Sequence, residues 1–229
     1  NIRAKDSLDI LKKKSKNILK EIQLICNLDS KITYETDESL KTLRYRNIIL
    51  MCDQDPDGSH IKGLILNFIH FKWPYLFYKE FVYQFITPLI RVTSKTKNFN
   101  FYTQNEFIEK RNELPKNSTI RYLKGLASST KNDALEYFNN DNYKKGLKLI
   151  KGENIEDDKK NMDIAFDPNY SNIRKTWLTI DIKENAKDIY KNSSMTIGDF
   201  INNELIYFSL YSNSRTMANC IDGFKTSQR

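Results

Sequence analysis

The stretch NIILMCDQDPDGSHIKG, Asn47 to Gly63, decides how this chain folds. An apolar run ends in Asp53, Asp55 and Asp57, and Gly58 follows at once. Alternate residues of an extended strand project the same way. The spacing of two therefore predicts three carboxylates leaving one strand end side by side. At about 6 Å and an effective dielectric of about 20, each like-charge pair costs roughly 3 kcal/mol. A divalent cation removes that cost. Mg²⁺ is the natural candidate, because it takes oxygen ligands and is often held by one or two carboxylates together with a phosphate. Gly58 permits a tight turn after the third carboxylate.

Outward from this turn, residues 47–52 read as a strand and Ser59 to Lys72 as a helix, stopped by Trp73-Pro74. A strand, a turn and a helix, with acidic residues at the strand's C-terminal end, is where open α/β sheets place ligands. Three rival readings compete. Asp-x-Asp-x-Asp-Gly matches the front half of an EF-hand loop, but that loop needs a Glu at its twelfth position, which here is Leu64. Phosphatases of the haloacid dehalogenase type also place an Asp-x-Asp pair after an apolar strand, with Thr or Val usual where this chain has Asp57. A solvated acidic turn without metal is the common fate of a lone Asp-Gly, but it leaves three carboxylates at a spacing of two without a purpose.

The surrounding blocks separate these readings. SLKTLRYRNIILMCDQDPDGSHIKGLILNFIHFKWPYLF (39–77) and FITPLIRV (85–92) resemble the type IIA DNA topoisomerases of eukaryotes and large DNA viruses. In that family a Toprim domain carries the Asp triplet, then Gly-Ser-His-Ile-Lys-Gly, Asn-Phe-Ile-His, Trp-Pro and Phe-Ile-Thr-Pro. NIRAKDS (1–7), RYLKGLASST (121–130), IRKTWL (173–178), DFINNELIYFS (199–209) and IDGFKTSQR (221–229) follow the family's order. The resemblance covers almost the whole chain. It implies an α/β Toprim fold, Rossmann-like, with a mostly parallel sheet flanked by helices, a mixed accessory region and the first helix of a winged-helix domain. The expected division is 1–138 for the larger C-terminal part of Toprim, 139–195 for the accessory region and linker, and 196–229 for the start of the winged-helix domain.

Composition agrees with a globular chain. The 229 residues suit one or two domains, and 39% hydrophobic with 12% aromatic residues supplies a core. No apolar stretch approaches the ~20 residues that span a bilayer, and the first residues lack the apolar centre of a secretory signal. The net charge of +8 is compatible with a polyanionic partner. Cys26, Cys52 and Cys220 are odd in number and far apart, which speaks against zinc and against a disulfide framework. Asp6 to about Asn27 reads as an amphipathic helix, with Leu8, Leu11, Ile18, Ile22 and Ile25 on its apolar face and Lys12, Lys13, Lys14, Lys16 and Lys20 in water. A second strand is expected within Phe85–Thr93, a third over Thr119–Lys124 and a helix over Lys131–Phe138. The charged segment 139–165 reads as a surface excursion or the start of an accessory region, Pro168–Asp181 and Thr196–Tyr211 as helices, and 182–195 as a polar linker. Trp73 and Trp177 sit in apolar settings and are expected to be core anchors; His70 is expected to be structural, and His60 is placed to approach phosphate.

The resemblance also implies roles. Asp53 would serve two Mg²⁺ ions and Asp55 the second of them, with Asp57 acting through water or holding the turn. Two-metal logic of this kind stabilises charge on a scissile phosphate and its leaving oxygen and anchors a neighbouring phosphate. Mn²⁺ or Ca²⁺ would substitute in binding. Asn1, Arg174, Lys175, Lys225 and Lys124 match DNA-contacting positions, and Arg215 is a weaker candidate. Such contacts add salt-sensitive, sequence-independent affinity. Double-stranded DNA is the implied partner and a homodimer the implied assembly, because cutting both strands needs two equivalent sites. ATP would bind at a domain outside this chain. The family's upstream Glu and its nucleophilic Tyr fall outside these residues, so the chain alone is expected neither to cleave DNA nor to hydrolyse ATP. A cellular enzyme of this type would be nuclear, and a viral one would lie in host cytoplasm or virion. Ala127, Ala218 and Thr226-Ser227 depart from the usual Gly, Pro and Pro-Gly of the family. Two other readings stay open at this point: a metal-dependent phosphatase or phosphotransferase with Asp53 as nucleophile, and a non-catalytic DNA-binding scaffold.

Overall fold

The structure, a computed structural model, describes residues 24–29, 31–95, 97–123, 125–126, 129–179, 190, 192–225 and 228. Most of the expected N-terminal helix lies outside them, and only residues 24–26 of it are seen as helical. After a short helix α1 (Asp37–Leu40), β1 (Ile48–Met51) forms the edge strand of its sheet among the described residues, its Leu50 buried and Ile49 and Met51 exposed. Helix α2 (Pro56–Lys72) follows. It begins ahead of the expected Ser59, because Asp55 caps it by accepting the Gly58 N–H at 2.6 Å and Pro56 sits at the first helical position. Proline costs nothing there, since that N–H has no partner within the helix. Trp73 and then Pro74 end the helix as expected, and a short 3₁₀ turn, Pro74–Tyr78, leads on.

β2 (Val82–Phe85) pairs parallel with β1, with Ile48 opposite Val82. Parallel neighbours need a long crossover, and α2 lies within it. A strand lies within Phe85–Thr93 as expected, and β2 precedes it in another sheet. The chain breaks around Pro88, which has no N–H for a ladder, and changes sheets. β3 (Ile90–Thr93) becomes the centre of a separate antiparallel sheet, between β4 (Asn98–Phe101) and β5 (Thr119–Tyr122). Helix α3 (Gln104–Lys110) follows β4, and α4 (Lys131–Tyr137) opens on a capping box between Thr130 and Asp133. Ile90, Val92, Phe101 and Phe107 form the small core of this part.

The charged segment expected as a surface excursion or the start of an accessory region returns to the first sheet. Helix α5 (Asn140–Gly146) hands over to β6 (Leu147–Lys151), which lies between β2, antiparallel, and β7 (Ser194–Thr196), parallel. The strand order is β1-β2-β6-β7, with two of its three pairings parallel, as expected, and the β2–β6 pairing antiparallel. A lysine hid the strand. Lys148 and Ile150 alternate inward, and the Lys148 ammonium is accommodated by donating to the Asn192 carbonyl at 2.8 Å. Helices α6 (Ile155–Phe166) and α7 (Ser171–Trp177) come next. The last helix starts at a Thr196–Asp199 capping box, as α8 (Ile197–Phe200), widens into a π turn (Ile201–Leu205) and continues as α9 (Ile206–Thr216).

The main core gathers Leu66, Phe77, Val82, Ile150 and Phe200 around Trp73. Trp73 is 1% exposed and donates to the Asp29 carbonyl at 2.8 Å; Trp177 is buried and donates to the Asn202 side chain at 2.8 Å. Both tryptophans are core anchors whose indole N–H finds a partner, as a buried Trp requires. Among the described residues no helix is long and apolar enough to cross a membrane.

Candidate functional site at the acidic turn

β1 ends at Met51, so strand geometry does not reach the acidic triplet. Asp53 stands in the turn, Asp55 is the cap of α2 and Asp57 is in its first turn. The three carboxylates go three ways instead of projecting side by side. Asp53 Oδ1 accepts the Leu126 N–H at 2.6 Å. That amide belongs to the loop after β5, where Gly125 has φ +67 and a Cβ would lie 3.1 Å from the Asp53 carboxyl carbon. Asp55 Oδ1 accepts the Gly58 N–H at 2.6 Å. Asp57 faces Arg215 in the last turn of α9, which donates twice to its carboxylate, at 2.8 and 3.2 Å. These bonds raise the Arg215 pKa, and its guanidinium also lies 4.4 Å from the centroid of the Tyr211 ring.

Among the described residues no group of three or more His, Cys, Asp and Glu is arranged to hold a metal. The chemistry of the donors still fits Mg²⁺ in its usual manner, which needs one or two carboxylates and several waters rather than a protein cage. Asp53 and Asp55 are hard oxygen donors on one turn, and the backbone bonds described for each use Oδ1. Asp57 is engaged by an organic cation.

Gly58 closes this turn for a steric reason. A Cβ at position 58 would lie 2.0 Å from the Asp53 carbonyl oxygen and 3.2 Å from Asp55 Oδ1. Gly58→Ala must therefore displace the Asp53–Asp55 backbone. The expected cost is about 1–3 kcal/mol of stability, the range for overpacking, checked by urea unfolding of the chain. Any site built on both carboxylates is expected to weaken with it.

Beneath the turn lies a polar cluster that residue patterns alone did not single out. Lys62, 1% exposed, forms an ion pair with Glu204 and donates to Gln84 Oε1 at 2.9 Å. Ser59 donates to Glu204 Oε1 at 2.9 Å. The available signal was Lys62 and Glu204 themselves, each a charge within an apolar helical stretch, IKGLIL and NNELIYF.

The two histidines pack against aromatic rings. The His60 ring stacks on Phe208 at 4.0 Å, and burial lowers its pKa despite the opposing Asp57 charge. His70 is buried against Phe77, and burial lowers its pKa too, with Asp158 and Asp163 opposing. Both rings are therefore mostly neutral near pH 7. Because the folded pKa values lie below the ordinary 6.5, the unfolded chain takes up protons first as pH falls. Stability should be complete above pH ~6.5 and decline below it, with His70 contributing up to about 1.4 kcal/mol per pH unit and half-exposed His60 less. Urea midpoints at pH 7.5 and 5.5 test this, and His70→Phe should flatten the difference.

Of the residues matched to DNA contacts, Asn1 and Lys124 lie outside the described residues, as do Ala127 and Thr226-Ser227. Arg174 is turned to structure. It donates to the Ile164 and Asp167 carbonyls, both at 2.8 Å, and so satisfies the C-terminal end of α6. Lys175 and Lys225 are exposed.

Residues 85–213 match the family described as the C-terminal associated domain of TOPRIM. DNA topoisomerase 2-alpha of Rattus norvegicus is 40% identical over 226 residues, covering 93% of this chain and 14% of the relative. The mitochondrial DNA topoisomerase 2 of Dictyostelium discoideum is 39% identical over 217 residues, covering 92% and 16%. The chain thus spans about a sixth or less of the length of these relatives. Among solved structures, the DNA-binding, cleavage and re-ligation domain of Plasmodium falciparum topoisomerase II superposes with a TM-score of 0.84 at 31% identity, covering 98% of this chain and 30% of that one.

Proposed function

We propose, from the premise that this chain belongs to the Toprim-associated family of the eukaryotic-type DNA topoisomerase 2 proteins, that it is the Toprim side of the cleavage centre of an ATP-dependent type IIA DNA topoisomerase. The observation that carries the reading is the turn between β1 and α2. Asp53 and Asp55 both lie in it, after a strand that pairs in parallel, with Asp53 held by the Leu126 amide and Asp55 engaged as the cap of α2. Asp53 and Asp55 would hold Mg²⁺. When bound, the ion supplies Lewis-acid stabilisation of charge on a phosphate oxygen. The chain's own contribution is orientation: two amides set the carboxylates before any ligand arrives, and the Asp57–Arg215 pair ties the end of α9 to the same turn.

Of the cations matched to DNA contacts, Lys175 and Lys225 are exposed, and they would add affinity without sequence preference. Arg215 sits close enough to the turn to exchange Asp57 for a phosphate. The complete enzyme is read as a homodimer, with ATP bound and hydrolysed elsewhere in the polypeptide and strand passage as its outcome. The nucleus is its proposed place in a cell, or host cytoplasm and virion for a viral enzyme. The test is relaxation of supercoiled plasmid by the full-length enzyme with ATP and Mg²⁺. Linking number changing in steps of two, and stopping on chelation of the metal, is the expected result. Steps of one, or release of phosphate from small esters without relaxation, would overturn the reading.

A further inference from the structure

We propose that Lys62, Glu204, Gln84 and Ser59 act as positioning residues, a buried network that holds the acidic turn in register with the last helix. The proposal rests on the topoisomerase reading for its functional consequence, and on the structure alone for its mechanical one. Four elements meet in this cluster. Ser59 and Lys62 come from α2, one and two turns below the acidic cap. Gln84 comes from β2 and is fully buried; its amide lies 3.5 Å from Glu204 Oε2 and 3.2 Å from the sulfur of Met195 in β7. Glu204 comes from the π turn, and Ser59 and Glu204 are 145 residues apart in sequence.

Two features argue that geometry, rather than bulk stability, is what this cluster provides. A buried ion pair is weak evidence for stability, because apolar residues of similar volume often do as well or better. It is a strong constraint on position, because each charge is costly unless its partner stays in place. The helix is also deformed where it meets Lys62. Glu204, Leu205 and Ile206 are buried in succession, which a regular 3.6-residue period does not supply from one narrow face. The π turn at Ile201–Leu205 widens the helix at that point, and such turns are frequent at functional sites. The path to the carboxylates is short. Ser59 donates its hydroxyl to Glu204, while its N–H donates to the Asp55 carbonyl at 3.1 Å. The residue that caps α2 and the residue that grips the last helix are thus joined through Ser59. Arg215, further along that helix, closes the loop on Asp57.

The experiment uses the full-length enzyme with both charges removed together, Lys62→Met with Glu204→Met. Amide hydrogen exchange is read at Gly58 and Ser59, alongside plasmid cleavage. Glu204→Gln alone is expected to lose the fold, since it leaves Lys62 buried without its counter-charge. For the paired variant we expect a melting temperature close to wild type, exchange at the two amides about tenfold faster, and cleavage slowed about tenfold. Wild-type exchange and cleavage in a folded paired variant would overturn the proposal and leave the cluster as core filling. Should the paired variant not fold, Ser59→Ala decides, because it removes one hydroxyl and leaves the ion pair. Exchange about threefold faster at Gly58 is expected, and unchanged exchange overturns the proposal. Absence of plasmid relaxation by the wild type would remove the topoisomerase reading and leave the exchange result standing.

Discussion

Replacing Asp53 by Ala in the full-length enzyme should lower plasmid cleavage and relaxation at least a hundredfold while leaving ATP hydrolysis without DNA unchanged. The size follows from what the carboxylate is asked to do. Metal-assisted stabilisation of phosphate charge is worth several kcal/mol, and each ~1.4 kcal/mol is tenfold in rate. The loss is specific because Asp53 does little for the fold. It is half-buried in a turn, and its one described hydrogen bond anchors a loop, not the core. Asp55→Ala should be worse for stability and comparable for cleavage, because Asp55 also caps α2, a contact worth typically about 1 kcal/mol. Asp57→Ala separates from both. Its carboxylate pairs with Arg215 on the surface, so stability should move by less than about 1 kcal/mol. Relaxation that survived Asp53→Ala would keep the family and remove this aspartate from its chemistry.

Local chemistry explains why some of the site was legible and some was not. The helix stop at Trp73-Pro74 and the strand before the acidic turn follow from residue patterns within a few positions, and both appear. Two failures have separate causes. The carboxylates were expected to share a face on strand periodicity, but a capping residue and a helical one do not obey a period of two. β6 escaped because an inward Lys148 reads as surface until a carbonyl is found for it. The Lys62–Glu204 pair belongs to a third kind. Nothing local pairs residues so distant, and only the charges' placement in apolar runs marks them.

The second sheet depends on a charge cluster more than on its small core, so Asp133→Ala should cost about 3–5 kcal/mol there. Arg91 is 6% exposed and Asp133 2% exposed, and the two form a direct ion pair. Arg91 also donates to Asn100 at 3.0 Å and meets Glu136 at 3.1 Å, while Arg121 reaches Asp133 at 3.2 Å. Removing the carboxylate leaves a buried guanidinium short of its main counter-charge and takes away half of the capping box of α4, since Asp133 accepts both the N–H and the hydroxyl of Thr130 at 2.8 Å. Hydrogen exchange of the β3 amides should report the loss as a lower opening free energy, with the amides of β1 and β2 much less affected. Burial would raise the Asp133 pKa, but the Thr130 bonds and the Arg91 and Arg121 charges outweigh it and hold the carboxyl below its ordinary 3.8. This contribution is therefore complete above that pH and lost only as pH falls through the lower folded value, well below the range where the histidines act. The consequence reaches the candidate site, because the loop between β5 and α4 carries the Leu126 amide that holds Asp53. Asp133→Ala should therefore slow cleavage even at temperatures where the rest of the enzyme is folded. Unchanged cleavage in a variant whose β3 amides had lost their protection would show that Asp53 is set by its own turn and not by the neighbouring sheet.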